Sequence, residues 1–84
     1  QDEHMHYNHM ILNQEEGLPE HFSNANVYMT VLRGRLSIIL DDQLVHEYEA
    51  GSILNIPTGI KMNVKNHHQE VLELIVIKVP APNQ

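Results

Sequence analysis

The chain has 84 residues and no cysteine, with eleven acidic against five basic residues for a formal charge of −6 when its seven histidines are neutral. That length makes residues 1–84 a single domain with a modest core, one that gains from pairing with a second copy, and it excludes disulfides. No Lys/Arg cluster speaks for nucleic acid, no apolar run nears the roughly 18 residues that cross a bilayer, and a cytoplasmic location is expected.

In chain order, the first element is "HMHYNHMIL" at 4–12, which alternates His4, His6, Asn8 and Met10 on one face with Met5, Tyr7, His9 and Ile11 on the other. It reads as a strand. Residues 1–9 are expected to stand apart from a barrel over 10–79 and to be open to exchange with a partner copy. Turn chemistry then recurs at "EEG" 15–17, "SNAN" 23–26, "RG" 33–34, "DDQ" 41–43, "EAG" 49–51, "PTG" 57–59 and "NHHQ" 66–69. Between these turns lie short segments rich in Val, Ile, Leu and Tyr at 27–32, 36–40, 44–48, 52–56, 60–65 and 71–79. Evenly spaced short strands predict an all-β sandwich or barrel of antiparallel strands, and no stretch keeps a helical apolar period. Pro80 and Pro82 lack an amide proton, so the last strand should end near Val79.

Two motifs carry more information. In "GSILNIPTGIKMNVKN", residues 51–66, Gly51, Pro57, Gly59 and Asn66 fall in register with the second signature of the cupin family, G-x5-P-x-G-x2-H-x3-N, and Met62 stands at its histidine. Counting back from Gly34 through "HFSNANVYMTVLRG", the first signature's H-x-H-x3-E-x6-G places its ligands at His21, Ser23 and Val27. From about Met10 to Val79 the chain resembles a small single-domain cupin. The resemblance implies a cupin β-barrel, or jelly roll, with His21, Ser23, Val27 and Met62 converging inside it.

In metal-dependent cupins these four positions hold Mn, Fe, Ni or Zn through imidazoles and a carboxylate. Here His21 is the one family metal ligand that remains, so the resemblance implies no bound cofactor; the exception would be one divalent transition metal, or copper held through a methionine thioether. Alternation along the strands also sends Met29, Val31, Ile60 and Val64 inward, giving an apolar cup with His21 and Ser23 at one side. The same residues describe a packed core equally well. Three functions follow as expectations: a small-molecule-binding barrel that has lost its metal ligands, with His21, Ser23, Val27, Met29 and Met62 lining the ligand; a metal-dependent oxygenase or isomerase in which His9, Met29 or Met62 supplements His21; and a dimeric interaction or scaffold subunit. The pair His4 and His6 reads as exposed or interface histidines. His46 reads as facing water or a neighbouring strand; His67 and His68 would point to opposite faces on a strand and read instead as turn histidines solvated at the barrel rim.

Overall fold

A computed structural model describes residues 6–79, which form eight strands: β1 (His6–Leu12), β2 (His21–Phe22), β3 (Asn26–Arg33), β4 (Arg35–Leu40), β5 (His46–Glu49), β6 (Ile53–Ile56), β7 (Lys61–Lys65) and β8 (Leu72–Val79). They make two four-stranded antiparallel sheets, ordered β1-β8-β3-β6 and β2-β7-β4-β5. The described residues contain no helix. The expected segments all appear, and β2 joins them: two residues became a strand because they pair with β7, His21 opposite Met62 and Phe22 opposite Lys61.

The expected boundary at Met10 does not mark a change in structure. β1 is paired with β8 of its own chain from His6 opposite Lys78 to Leu12 opposite Leu72, so the strand belongs to the barrel and only its outer edge is open to another chain. His4 and Met5 lie outside the described residues, as does Pro80 beyond the end of β8.

Alternation fixes what each sheet turns inward. Leu72, Leu74 and Val76 of β8, Val27, Met29 and Val31 of β3, and Leu54 and Ile56 of β6 meet Leu36, Ile38, Met62 and Val64 of the opposite sheet. Val27, Met29, Val31 and Val64 are each 1% exposed and Met62 2%. Burying side chains of this size stabilises by about 1.5–3 kcal/mol apiece. Met29, Val31 and Val64 therefore point inward as the alternation predicts, while Ile60 packs against the core from its rim.

Glycines are needed where the chain turns tightly against another strand. Gly34 joins β3 to β4 at φ 85°, and a Cβ there would come within 2.3 Å of the Val71 carbonyl oxygen. The β4–β5 turn uses Asp41 and Asp42 at φ 52° and 59°, a left-handed conformation that Asp tolerates better than most residues. This turn is clipped to β7: the Lys61 amide donates to Asp41 Oδ1 at 2.9 Å and Lys61 Nζ to Asp42 Oδ2 at 2.6 Å.

Candidate functional site

The residues expected to form a site lie at one end of the barrel, where β2, the β2–β3 connection and the β6–β7 loop meet. Ser23 holds this end together. Its amide donates to Ile60 O and its carbonyl accepts from Gly59 N, at 2.9 and 2.8 Å. Its hydroxyl donates to Pro57 O at 2.6 Å and accepts from Ile60 N at 3.1 Å. Ser23 is 4% exposed, so these bonds replace the water it has lost. Pro57 and Gly59 of the second motif thus act through Ser23, and Gly59 sits at φ 90° with open space around its Cβ position.

His21 is partly buried on β2, opposite Met62. Its Nδ1 lies 2.7 Å from Pro19 O. A carbonyl oxygen only accepts, so Nδ1 carries a proton and Nε2 is the nitrogen left to face a ligand. The other three family positions offer little. Val27 has no donor atom, the Ser23 hydroxyl is engaged in both directions, and Met62 offers a thioether inside the core. A lone imidazole with these neighbours does not fit a divalent first-row ion. No group of three or more His, Asp or Glu able to hold a metal occurs among the described residues.

The histidines that sequence reasoning held in reserve do not complete the set. His9 cannot join His21, because it stands on the outer face of β1 and its Nε2 is 2.6 Å from Glu73 Oε2. His46 is exposed and stacks on Tyr48 at a ring distance of 6.5 Å. His67 and His68 lie in the connection between β7 and β8, outside any strand. His68 Nε2 reaches Glu47 Oε2 at 2.8 Å, and that contact, with a further hydrogen bond from Ser37, holds the Glu47 carboxyl below its ordinary pKa. Lys61, at the rim beside His21, is pushed above its ordinary value chiefly by its hydrogen bond to Asp42.

Val27, Met29 and Met62 therefore meet as packed core rather than as the wall of an open cup. The cavity at this end lies further out, where His6, Asn24, Ala25 and Lys78 line a space of about 260 Å³. Sequence reasoning missed this cluster. The signal was present in "LELIVIKV", where alternation puts Lys78 on the same face as Leu72, Leu74 and Val76, an unusual place for a cation unless the strand end opens to solvent.

Comparison with known proteins agrees with this fold. Residues 8–78 match the cupin domain family (cupin 2). The chain belongs to the cupin family. It is similar to an uncharacterized protein of Methanocaldococcus jannaschii, 35% identical over 82 residues that make up 98% of this chain and 71% of that one. The 1.70 Å crystal structure of that protein, an RmlC-like cupin with a double-stranded β-helix fold, matches 94% of this chain and 72% of its own with a TM-score of 0.90. A conserved Streptococcus pyogenes protein of unknown function has the same fold: TM-score 0.85, 18% identity, 99% of this chain and 70% of that one. A Thermus thermophilus protein matches with TM-score 0.86 and 20% identity over 98% of this cupin and 78% of its own chain.

Proposed function

We propose that this cupin is a small-molecule-binding barrel that works without the family's metal chemistry and takes its ligand at the open end rather than in the lumen. One observation carries the reading: three of the four family metal positions hold Ser23, Val27 and Met62, which fasten or fill the barrel instead of coordinating an ion. The 260 Å³ space is lined by His6, Asn24, Ala25 and Lys78, and three polar side chains beside one alanine suit a small polar molecule. A cytoplasmic setting goes with this reading, since a chain without cysteine is indifferent to reducing conditions. The metal-enzyme alternative loses support from the donor set around His21.

The test is a thermal-shift screen of untagged, chelator-treated protein against small organic acids, amino acids and sugars, with each hit mapped by amide NMR shifts. The reading expects hits that move His6, Asn24, Ala25 and Lys78. It fails if no compound binds, or if hits move only residues at the opposite end of the barrel. A second reading, an interaction subunit, is favoured by the apolar outer face of the β1-β8-β3-β6 sheet.

A further inference from the structure

The end of the barrel opposite Ser23 holds a second and larger cavity, of about 540 Å³, where the β3–β4 bend, the end of β5 and the β7–β8 connection meet. Its lining is charged: Arg33 and Arg35 flank Gly34, and Glu49, His68 and Glu70 join them. A β-bulge brings Arg33 there. Val31 points into the core opposite Leu74, and simple alternation would send Arg33, two residues on, inward as well. The register shifts between the two, so Leu32 is the extra residue and Arg33 pairs with Glu73 at the rim, 52% of its side chain exposed. Arg35 opens β4 opposite Glu49 and faces outward, because Leu36 beside it fills the core.

Neither guanidinium is satisfied by its neighbours. Glu73 lies beside Arg33, but its Oε2 is held by His9 Nε2 at 2.6 Å and its Oε1 comes only within 3.3 Å of Arg33 Nε. Glu47 is committed in the same way: its Oε2 is held by Ser37 at 3.0 Å and by His68 at 2.8 Å, and its Oε1 stays 3.8 Å from Arg35 Nη1. Glu49 Oε2 reaches Arg35 Nη2 only at 3.4 Å, whereas Lys61 closes on Asp42 at 2.6 Å. An arginine presents five N–H donors in a planar fork that grips a carboxylate through two parallel bonds. Most of those donors on Arg33 and Arg35 have no partner among the described residues.

We infer that this cavity binds an α-amino acid, with its carboxylate on Arg33 and Arg35 and its ammonium on Glu49 and Glu70. Charge decides the class. The lining carries two guanidinium cations and two carboxylates, in a chain of formal charge −6. A phosphate or a dicarboxylate would meet those carboxylates with no positive charge in surplus, and a plain amine would leave the guanidinium donors unanswered. A zwitterion answers both signs. Arg35 and Glu49 present the two signs side by side, 3.4 Å apart, which suits a carboxylate and an ammonium carried on one carbon. The volume lies in the range of small-molecule sites, and Leu32 and Ala50 offer an apolar wall to the amino acid's side chain. This site is separate from the one beside Lys78, and either can exist without the other.

NMR titration of the untagged full chain with L-alanine, propionate and ethylamine at millimolar concentration tests the inference; the last two are L-alanine without its ammonium and without its carboxylate. L-Alanine is expected to give saturable amide shifts at Leu32, Gly34, Arg35, Ala50 and His68, with propionate and ethylamine each binding at least tenfold more weakly. Arg35→Gln and Glu70→Gln change exposed side chains, so each should weaken L-alanine binding at least fivefold with circular dichroism unchanged. Absence of a saturable shift with L-alanine overturns the inference. So does propionate or ethylamine binding as tightly as L-alanine, which would make this a site for a single charge, and so do variants that bind L-alanine as well as the wild type. Shifts confined to His6, Asn24, Ala25 and Lys78 overturn it as well, while supporting the site at the other end.

Discussion

The two ends of the barrel treat the cupin signatures differently. At the end that carries Gly34 and Asn66, the signature residues are present and each has a visible task. Asn66 is 0% exposed, its Nδ2 donating to Leu12 O at 3.0 Å and Glu70 O at 2.9 Å while its Oδ1 accepts from His68 N at 3.0 Å. It ties the end of β1 to the β7–β8 connection. At the other end Pro57 and Gly59 still shape a loop, but the positions around them have exchanged ligands for packing and for the Ser23 clamp. Backbone geometry is a requirement of the fold, whereas a metal site is a requirement of one chemistry, and the second can be lost while the first persists.

Substitutions can sharpen that contrast. The largest effect is expected from Gly34→Ala, which combines left-handed strain of about 1–2 kcal/mol with a backbone clash at 2.3 Å from Val71 O. A loss on the order of 3–5 kcal/mol would lower the melting temperature by more than about 10 °C in a domain of this size. Gly51→Ala is the control: its φ is 98°, yet nothing lies within 4 Å of the added Cβ, so only the strain should register. Asn66→Ala comes next, at about 3 kcal/mol, because three hydrogen bonds, one buried and two part-buried, are removed together and their partners are stranded. Denaturant titration measures both. At the opposite end, Ser23→Ala should cost about 1–2 kcal/mol by leaving the Ile60 amide without its acceptor. Met62→Leu conserves volume and should cost less than about 1.5 kcal/mol.

The smallest effect is a pH dependence. Glu47 has its pKa lowered in the folded chain, first by the hydrogen bond from His68 and then by that from Ser37. Its stabilising contribution is therefore present above the ordinary carboxylate pKa and is lost as pH falls through the lowered value. Melting curves of wild type and Glu47→Gln should differ at neutral pH and converge in acid. A gap that stays constant with pH would place the effect in packing instead.

Much of the fold was legible because turn residues and period-two alternation report directly on backbone geometry. Gly34, Gly51 and Asn66 could be placed by counting. The site was legible only in what it lacked. The identities of Val27 and Met62 show that a carboxylate and an imidazole are absent, but sequence alone could not decide whether the lumen was hollow or filled, since both arrangements use the same inward residues. The task of Ser23 depends on Pro57, Gly59 and Ile60, more than thirty residues away, and local spacing carries no trace of such contacts. The partition at Met10 missed that β1 finds its partner in β8, at the far end of the chain.

The central claim is that this barrel keeps the cupin scaffold and has given its metal positions over to packing. Ser23→His, Val27→Glu and Met62→His together restore the family set around His21 and should create divalent-metal affinity, at several kcal/mol of apo stability for a carboxylate in the core and the loss of the Ser23 clamp. The most direct measurement is calorimetric titration of Mn(II), Fe(II) and Ni(II) into the untagged, chelator-treated wild-type protein. The account predicts no tight stoichiometric binding; one ion held tightly per chain would contradict it.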